Sequence, residues 1–293
     1  MKKVLLLSSV VFIAATSFAQ QDTMVKIDSI ERITELAPEP VAPKTTTSEV
    51  YQLKPAVDIP LTAITTGWSL YAFTKIYSKE SSTAAQINAL NKNDLARINR
   101  AGVENYSLSA KKTSDYFFYG SMPLPLMLLL DKEIRKDAGR IGFLYLEAMS
   151  ITGLLYTGSV YFKDKYRPYA YNPDVPFSER TGGGAKNSFF AGHVALVGTS
   201  TFFIAKVYSD YHPGSKLNWL LYTAASIATA TTGYLRYKGG LHHLTDVFIG
   251  TAVGPLSGIL VPHFHKVKNG KQSNLTILPY YGNEKGIAMV WKF

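Results

Sequence analysis

Six apolar stretches run along the chain, at about 58–77, 115–130, 139–162, 189–208, 217–236 and 243–262. Their lengths suit helices better than strands, and clusters of Gly, Pro and charge separate them. Asp131-Lys-Glu-Ile-Arg-Lys-Asp137 divides the second from the third, and His212-Pro-Gly-Ser215 the fourth from the fifth. The pattern predicts an all-α fold, a bundle of about six main helices over residues 58–265. Residues 20–57 are polar and rich in Thr, Pro and Glu, as in Ala37-Pro-Glu-Pro-Val-Ala-Pro43, which reads as a flexible arm. Residues 266–293 predict a short C-terminal β-hairpin: 274–281 and 286–293 alternate in character around a polar Gly282-Asn283 turn. Two strands cannot close a barrel, so packing on the bundle or edge pairing is expected.

The first residues have a different pattern. Met1-Lys2-Lys3, an apolar run from Val4 to Ala15, and Ser17-Phe18-Ala19 before Gln20 read as a secretory signal peptide over 1–19. Export to the periplasm or cell-envelope membrane follows. The six stretches are long enough to cross a bilayer, but 223–234 reads Thr-Ala-Ala-Ser-Ile-Ala-Thr-Ala-Thr-Thr-Gly-Tyr, which is polar for a span. A cleaved signal followed by six spans would also put the end of the third helix in the cytoplasm. Both points favour a periplasmic bundle with membrane-surface association.

Composition adds limits. Of 293 residues, 46% are apolar, enough for a sizeable core. No cysteine is present, so no disulfide supports the fold. Losing Lys2 and Lys3 lowers the formal charge from +10 to +8. The basic residues are scattered and form no stripe, so no nucleic-acid partner is expected. A basic surface suits anionic substrates or anionic membrane surfaces.

The candidate chemistry lies in Arg236-Tyr-Lys-Gly-Gly-Leu-His242-His-Leu-Thr-Asp246, with Gly192-His193 and Arg167-Pro168. On the helical map Arg167 follows the third helix and His193 opens the fourth; Arg236 closes the fifth and His242 begins the sixth. All four fall at one end of an up-and-down bundle. Arginine offers a permanent forked charge that matches a pair of phosphate oxygens. One histidine can attack phosphorus while another protonates the leaving oxygen. Asp246 lies four residues after His242, on the same helical face, and is expected to bond its imidazole directly. His243 has Val247 at that offset, so His242 is preferred. The free N–H groups opening the fourth helix suit an anion.

This pattern resembles the type 2 phosphatidic-acid phosphatase and vanadium haloperoxidase superfamily, with its motifs Lys-x6-Arg-Pro, Pro-Ser-Gly-His and Ser-Arg-x5-His-x3-Asp. Here they read Val160-x6-Arg167-Pro168, Phe190-Ala191-Gly192-His193 and Leu235-Arg236-x5-His242-x3-Asp246. The resemblance covers roughly 58–263. It implies a metal-independent phosphatase with no cofactor, acting on a phosphorylated lipid or small phosphoester through a phosphohistidine. His242 is then the nucleophile, held by Asp246, and His193 the acid and base; Arg167, Arg236 and the Gly192 backbone bind phosphate. Val160, Phe190 and Ala191 depart from the motifs. Lys163 or Lys165 stands in for the missing lysine, and Ser188 for the missing serine. A phosphate-binding envelope protein that has lost activity is the alternative; a vanadate haloperoxidase is a lesser one. His212, His263 and His265 read as structural or surface groups at the other end, with no third metal ligand evident. Thr181-Gly-Gly-Gly-Ala-Lys186 reads as a flexible rim loop.

Overall fold

The computed structural model describes residues 49–267, with the backbone alone of 275–281 and 285–291. The signal peptide and almost all of the arm lie outside the described residues. Leu275–Tyr281 and Lys285–Trp291 run as an antiparallel pair, which does not establish the expected hairpin as part of the fold. The described residues are mostly helical, at 74%.

Six long helices correspond to the six apolar stretches: α1 (Pro55–Tyr77), α4 (Leu108–Ser121), α6 (Ala138–Phe162), α8 (Gly192–Tyr211), α9 (Leu217–Lys238) and α10 (Leu244–His265). Four short ones fill the connections: α2 (Ala84–Asn88), α3 (Arg97–Arg100), α5 (Lys132–Lys136) and α7 (Phe177–Thr181). The largest displacement from expectation is the second stretch. Its helix starts earlier, where the Ser107 side chain accepts from the Ala110 N–H. It stops at Ser121, and Leu124–Leu130 continues as a 3₁₀ segment. Pro123 and Pro125 explain the break, because each removes an N–H that an α-helix would need.

α8 is the central helix, packed against α10, α9, α6 and α4. Its contact with α10 is unusually close. A Cβ at Gly250 would stand 2.6 Å from the Ala191 carbonyl, and one at Gly258 would stand 2.5 Å from the Thr199 carbonyl. Gly254, midway between them, has no more room against Ala195. Side chains at four-residue spacing share a helix face, so the three glycines form a flat strip on which α8 lies, backbone to backbone.

The core has two main parts. One, with Tyr51, Leu144, Phe203 and Val207, fills the end where α8 finishes. The other, with Ile76, Tyr156, Val160, Phe190 and Ala195, lies where α8 begins. The outside of the bundle is also apolar. Leu70 and Tyr71 on α1, Trp219 and Ile227 on α9, and Phe248 and Phe264 on α10 are all exposed. Such a continuous apolar exterior is uncommon on a protein surrounded by water. Among the described residues α10 is the helix long and apolar enough to cross a bilayer by length and composition.

Gly254→Ala should cost about 2–3 kcal/mol of stability through overpacking. Gly67→Ala on α1, where a new Cβ meets nothing within 4 Å, should gain about 0.5–1 kcal/mol from helix propensity. Denaturant midpoints of the two variants test this, and equal responses would remove the close crossing as a constraint.

Candidate active site

Two chain reversals create the site. The first lies between α9 and α10. Leu241 N–H donates to the Arg236 carbonyl at 3.0 Å, and Gly239 N–H to Leu235 at 2.8 Å, closing the end of α9. Gly240 has φ +70°, and a Cβ there would run into the Asn105 backbone. Glycine is therefore required for the turn that carries the chain from Arg236 back to His242. The five-residue spacing is the length of one helix end plus this turn.

The second reversal precedes α8. Lys165 N–H donates to Lys186 O, Arg167 N–H to Ala185 O and Ser188 N–H to Lys165 O. These bonds tie the segment after α6 to the one before α8. Arg167 Nε donates to the Gly184 carbonyl at 3.0 Å. The glycine-rich segment expected as a flexible rim is instead a 3₁₀ turn, Gly183–Lys186, that holds Arg167 in place. Ala191 N–H then donates to the Asp246 carbonyl at 3.1 Å, joining the start of α8 to α10.

A cavity of about 260 Å³ results, with Arg167, His193 and Arg236 in its wall. Asp115 of α4 completes it. One carboxylate oxygen, Oδ1, accepts from His193 Nε2 at 3.1 Å and from Arg236 Nη1 at 3.1 Å. Phe118, one turn further along α4, stacks on the His193 ring at 4.2 Å. Arg236 Nη1 also reaches Ser114 Oγ at 3.3 Å, while its Nε is buried with no partner among the described residues. Burial, then the neighbouring Arg167, pulls the Arg236 pKa down to about 10.

His242 is 1% exposed and is not among the residues lining the cavity. Its Nδ1–H donates to the Ser188 carbonyl at 2.6 Å, which leaves Nε2 as the nitrogen with a free lone pair. Burial above all, then Arg167 and Arg236, holds its pKa well below the usual histidine value. The ring is a neutral base surrounded by cationic groups. His193 is pushed down to about 4, mainly by burial, against the opposing bond to Asp115. Asp115 is held low first by His193 and then by Arg236, against its own burial.

Several expectations need correction. Asp246 does not bond His242 directly. Its Oδ1 takes Lys165 Nζ at 2.5 Å, and its Oδ2 takes Ser188 Oγ at 2.7 Å and the His243 N–H at 3.1 Å. At the first turn of α10 its carboxylate is drawn to the helix's own free N–H groups, and Ser188 lies between it and the imidazole. Ser188 is therefore committed to Asp246 and does not stand in for the motif serine. Lys165 is committed likewise. Lys163 is exposed, caps α6, and is not in the cavity wall. At Gly192 a Cβ would stand 2.7 Å from the Tyr156 ring, so that residue is also a packing necessity. His243 is fully buried and its Nε2 donates to Tyr166 O at 3.0 Å, away from the cavity lining. The two residues the sequence reading missed are Asp115 and Lys111, both in the cavity wall. Asp115 is the one acidic residue of α4, four residues after Lys111; that pairing was the available signal.

The family model described as the PAP2 superfamily matches residues 141–269. This part of the chain belongs to the PAP2 superfamily. Arg167, His193, Arg236, His242 and Asp246 all fall inside the PAP2 match, and Asp115 falls outside it. No curated protein matches the chain. Two solved structures are similar to the chain in fold. Aquifex aeolicus LpxE is 20% identical, with 57% of this chain and 96% of that one covered, at a TM-score of 0.40. The transmembrane PAP2 type phosphatidylglycerolphosphate phosphatase from Bacillus subtilis is 18% identical, with 73% and 98% covered, at a TM-score of 0.43.

The buried histidines set a pH dependence. Unfolded, each takes a proton near the ordinary histidine value of 6.5, whereas folded His193 resists protonation down to about 4. The unfolded state binds more protons across that interval, so stability is greatest above about pH 6.5 and falls towards pH 4. His193 alone accounts for on the order of 3 kcal/mol. Asp115 loses its contribution only below its usual range, outside this window. Urea midpoints from pH 7.5 to 4.5 should drop less in His193→Gln than in the parent; parallel curves would mean that the imidazole is not buried neutral.

Proposed function

We propose that the chain is a phosphatase that transfers a phosphoryl group from a phosphate ester to His242 and then to water. One observation carries this reading: a single carboxylate oxygen is gripped by His193 and Arg236 in a cavity that Arg167 also lines. That is an anion site with an internal anion in it. A phosphoryl oxygen entering the cavity takes the position of Asp115 Oδ1, and its other oxygens meet Arg167, the unpartnered Nε of Arg236 and the first N–H groups of α8.

The steps follow from the proton positions. His242 Nε2 attacks phosphorus in line with the ester oxygen while Nδ1–H stays on the Ser188 carbonyl. Asp246 fixes that carbonyl through the Ser188 hydroxyl, so it positions the nucleophile at one remove. A dianionic phosphate beside His193 reverses the balance that keeps its ring neutral and favours the imidazolium, whose proton goes to the departing alcohol. Neutral His193 then takes a proton from water, which attacks the phosphohistidine and releases orthophosphate. The cavity cations are Arg167, Arg236 and Lys111, so transition-state charge is met without a metal ion. Lys111 on α4 supplies the cation that Val160, a core residue, does not.

The apolar exterior of the helices supports a phosphorylated lipid as substrate and association with a membrane surface of the envelope. A second reading, phosphate binding without turnover, is favoured by Lys165 being spent on Asp246.

The deciding experiment is orthophosphate release by the purified protein from a panel of lipid phosphates and soluble esters, with and without EDTA. Release should persist in EDTA, be faster on lipid phosphates, and fall at least about 10³-fold in His242→Ala. Comparable turnover by that variant would end the nucleophile assignment, and a folded parent inactive on the whole panel would favour the binding reading.

Asp115→Asn tests the internal anion. Removing one competing negative charge should tighten inhibition by orthovanadate about tenfold or more. Unchanged inhibition would show that the carboxylate does not occupy the phosphoryl position.

A further inference from the structure

Asp58, Glu147 and His265 form a second charged group, at the other end of α10 from the phosphoryl site. Asp58 comes from the first turn of α1, Glu147 from the body of α6 and His265 from the last turn of α10. Asp246 and His265 are 19 residues apart on one helix, so the two sites are about 28 Å apart along its axis.

All three residues are buried, at 4%, 3% and 8% exposure. One ligand atom from each lies within 4.8 Å of the others. His265 Nδ1–H donates to the Val261 carbonyl at 2.7 Å, which fixes the ring with Nε2 towards the carboxylates. Nε2 stands 3.1 Å from Asp58 Oδ2 and 3.8 Å from Glu147 Oε2. Glu147 Oε2 is buried and has no hydrogen-bond partner among the described residues. The nearby Lys54 gives Asp58 only its backbone N–H; its side chain is exposed and pairs with neither carboxylate.

A neutral imidazole with its lone pair aimed at two carboxylates is repulsive, so something positive must lie between them. A proton on Nε2 answers Asp58 but leaves Glu147 Oε2 unbonded at 3.8 Å. Leaving a carboxylate buried and unpaired is costly. A divalent ion balances two carboxylates and a neutral imidazole completely. Tetrahedral bonds of ~2.0–2.1 Å place ligand atoms about 3.3 Å apart, between the two separations seen. The Val261 carbonyl on the far ring nitrogen is the second contact that orients a metal-bound histidine.

We infer that Asp58, Glu147 and His265 bind a divalent transition-metal ion that ties α1, α6 and α10 together. One imidazole nitrogen and two carboxylates suit Zn²⁺ or Mn²⁺. A cavity of about 490 Å³, which all three residues line, leaves room for water to complete the coordination. The site is structural, and the phosphoryl chemistry does not pass through it.

The test is Zn²⁺ and Mn²⁺ titration of the purified, chelator-stripped protein, followed by calorimetry, metal content and thermal melting. One ion per chain should bind, raising Tm by about 5 °C at saturation. Glu147→Gln, which keeps the volume, and His265→Ala should each weaken binding at least about 100-fold. His263→Ala, at the exposed neighbouring histidine, should leave it unchanged. Metal-free Glu147→Gln should melt no lower than the metal-free parent, because it removes a buried carboxylate whose Oε2 has no partner among the described residues; if it fails to fold, Asp58→Asn takes its place in the titration. Binding of neither ion by folded protein, or binding lost in His263→Ala but kept in Glu147→Gln, overturns the inference.

Discussion

The close crossing of α8 and α10 is the constraint on which the site depends. Gly250, Gly254 and Gly258 bring two helix backbones into contact where ordinary side chains would hold them apart. Because the helices touch, the first residue before α8 can bond the first turn of α10, Ala191 N–H to Asp246 O. That bond brings His193, at the start of one helix, beside His242, just before the other. With side chains in place of the glycines the helices would sit at the usual 8–10 Å separation, and His242 would no longer lie close behind the cavity that His193 lines. The packing thus sets the distance over which the chemistry works.

Electrostatics imposes the second condition. Two arginines, two histidines and the open end of α8 converge, and burial removes the water that would screen them. The protein answers in two ways. Both histidines are neutral, and Asp115 takes up the remaining positive field through His193 and Arg236. Such a cluster is stable only while an anion is inside it, so the resting protein and the substrate-bound one satisfy the same requirement with different groups. The same carboxylate that stabilises the empty cavity is therefore what a phosphate has to displace, which ties affinity to folding at one residue.

The helices were legible from the lengths of the apolar stretches, and five of the six long ones lie where those put them, within a few residues at the ends. The exception, at Met122-Pro123-Leu124-Pro125, shows that prolines inside an apolar run decide its geometry more than its hydrophobicity does. Which site residues gather at one end was also legible, since it follows from helix order alone. Their partners were not. Offset along a helix suggested that Asp246 reaches His242, but the helix start competes for the same carboxylate, and Ser188 enters from a distant segment. Asp115 and Lys111 come from a helix that carries none of the three motifs, so only the tertiary fold joins them to the site. His265 reads as a surface or structural group from its place at the opposite end of the bundle, and its partners Asp58 and Glu147 are more than 100 residues away in sequence.

α10 links these observations. Its N-terminal end carries the positive side of the helix dipole and follows directly on His242, at the end of the bundle where Arg167 and Arg236 demand an anion. Its C-terminal end carries the negative side, and there His265 meets two buried carboxylates that demand a cation. One helix therefore separates two sites of opposite sign, each placed where the backbone field favours its occupant. The order of the two requirements along the helix could not be reversed without both sites working against the dipole. The position of the carboxylate cluster is thus consistent with the polarity that makes the opposite end suitable for phosphate, and both follow from the direction in which α10 runs.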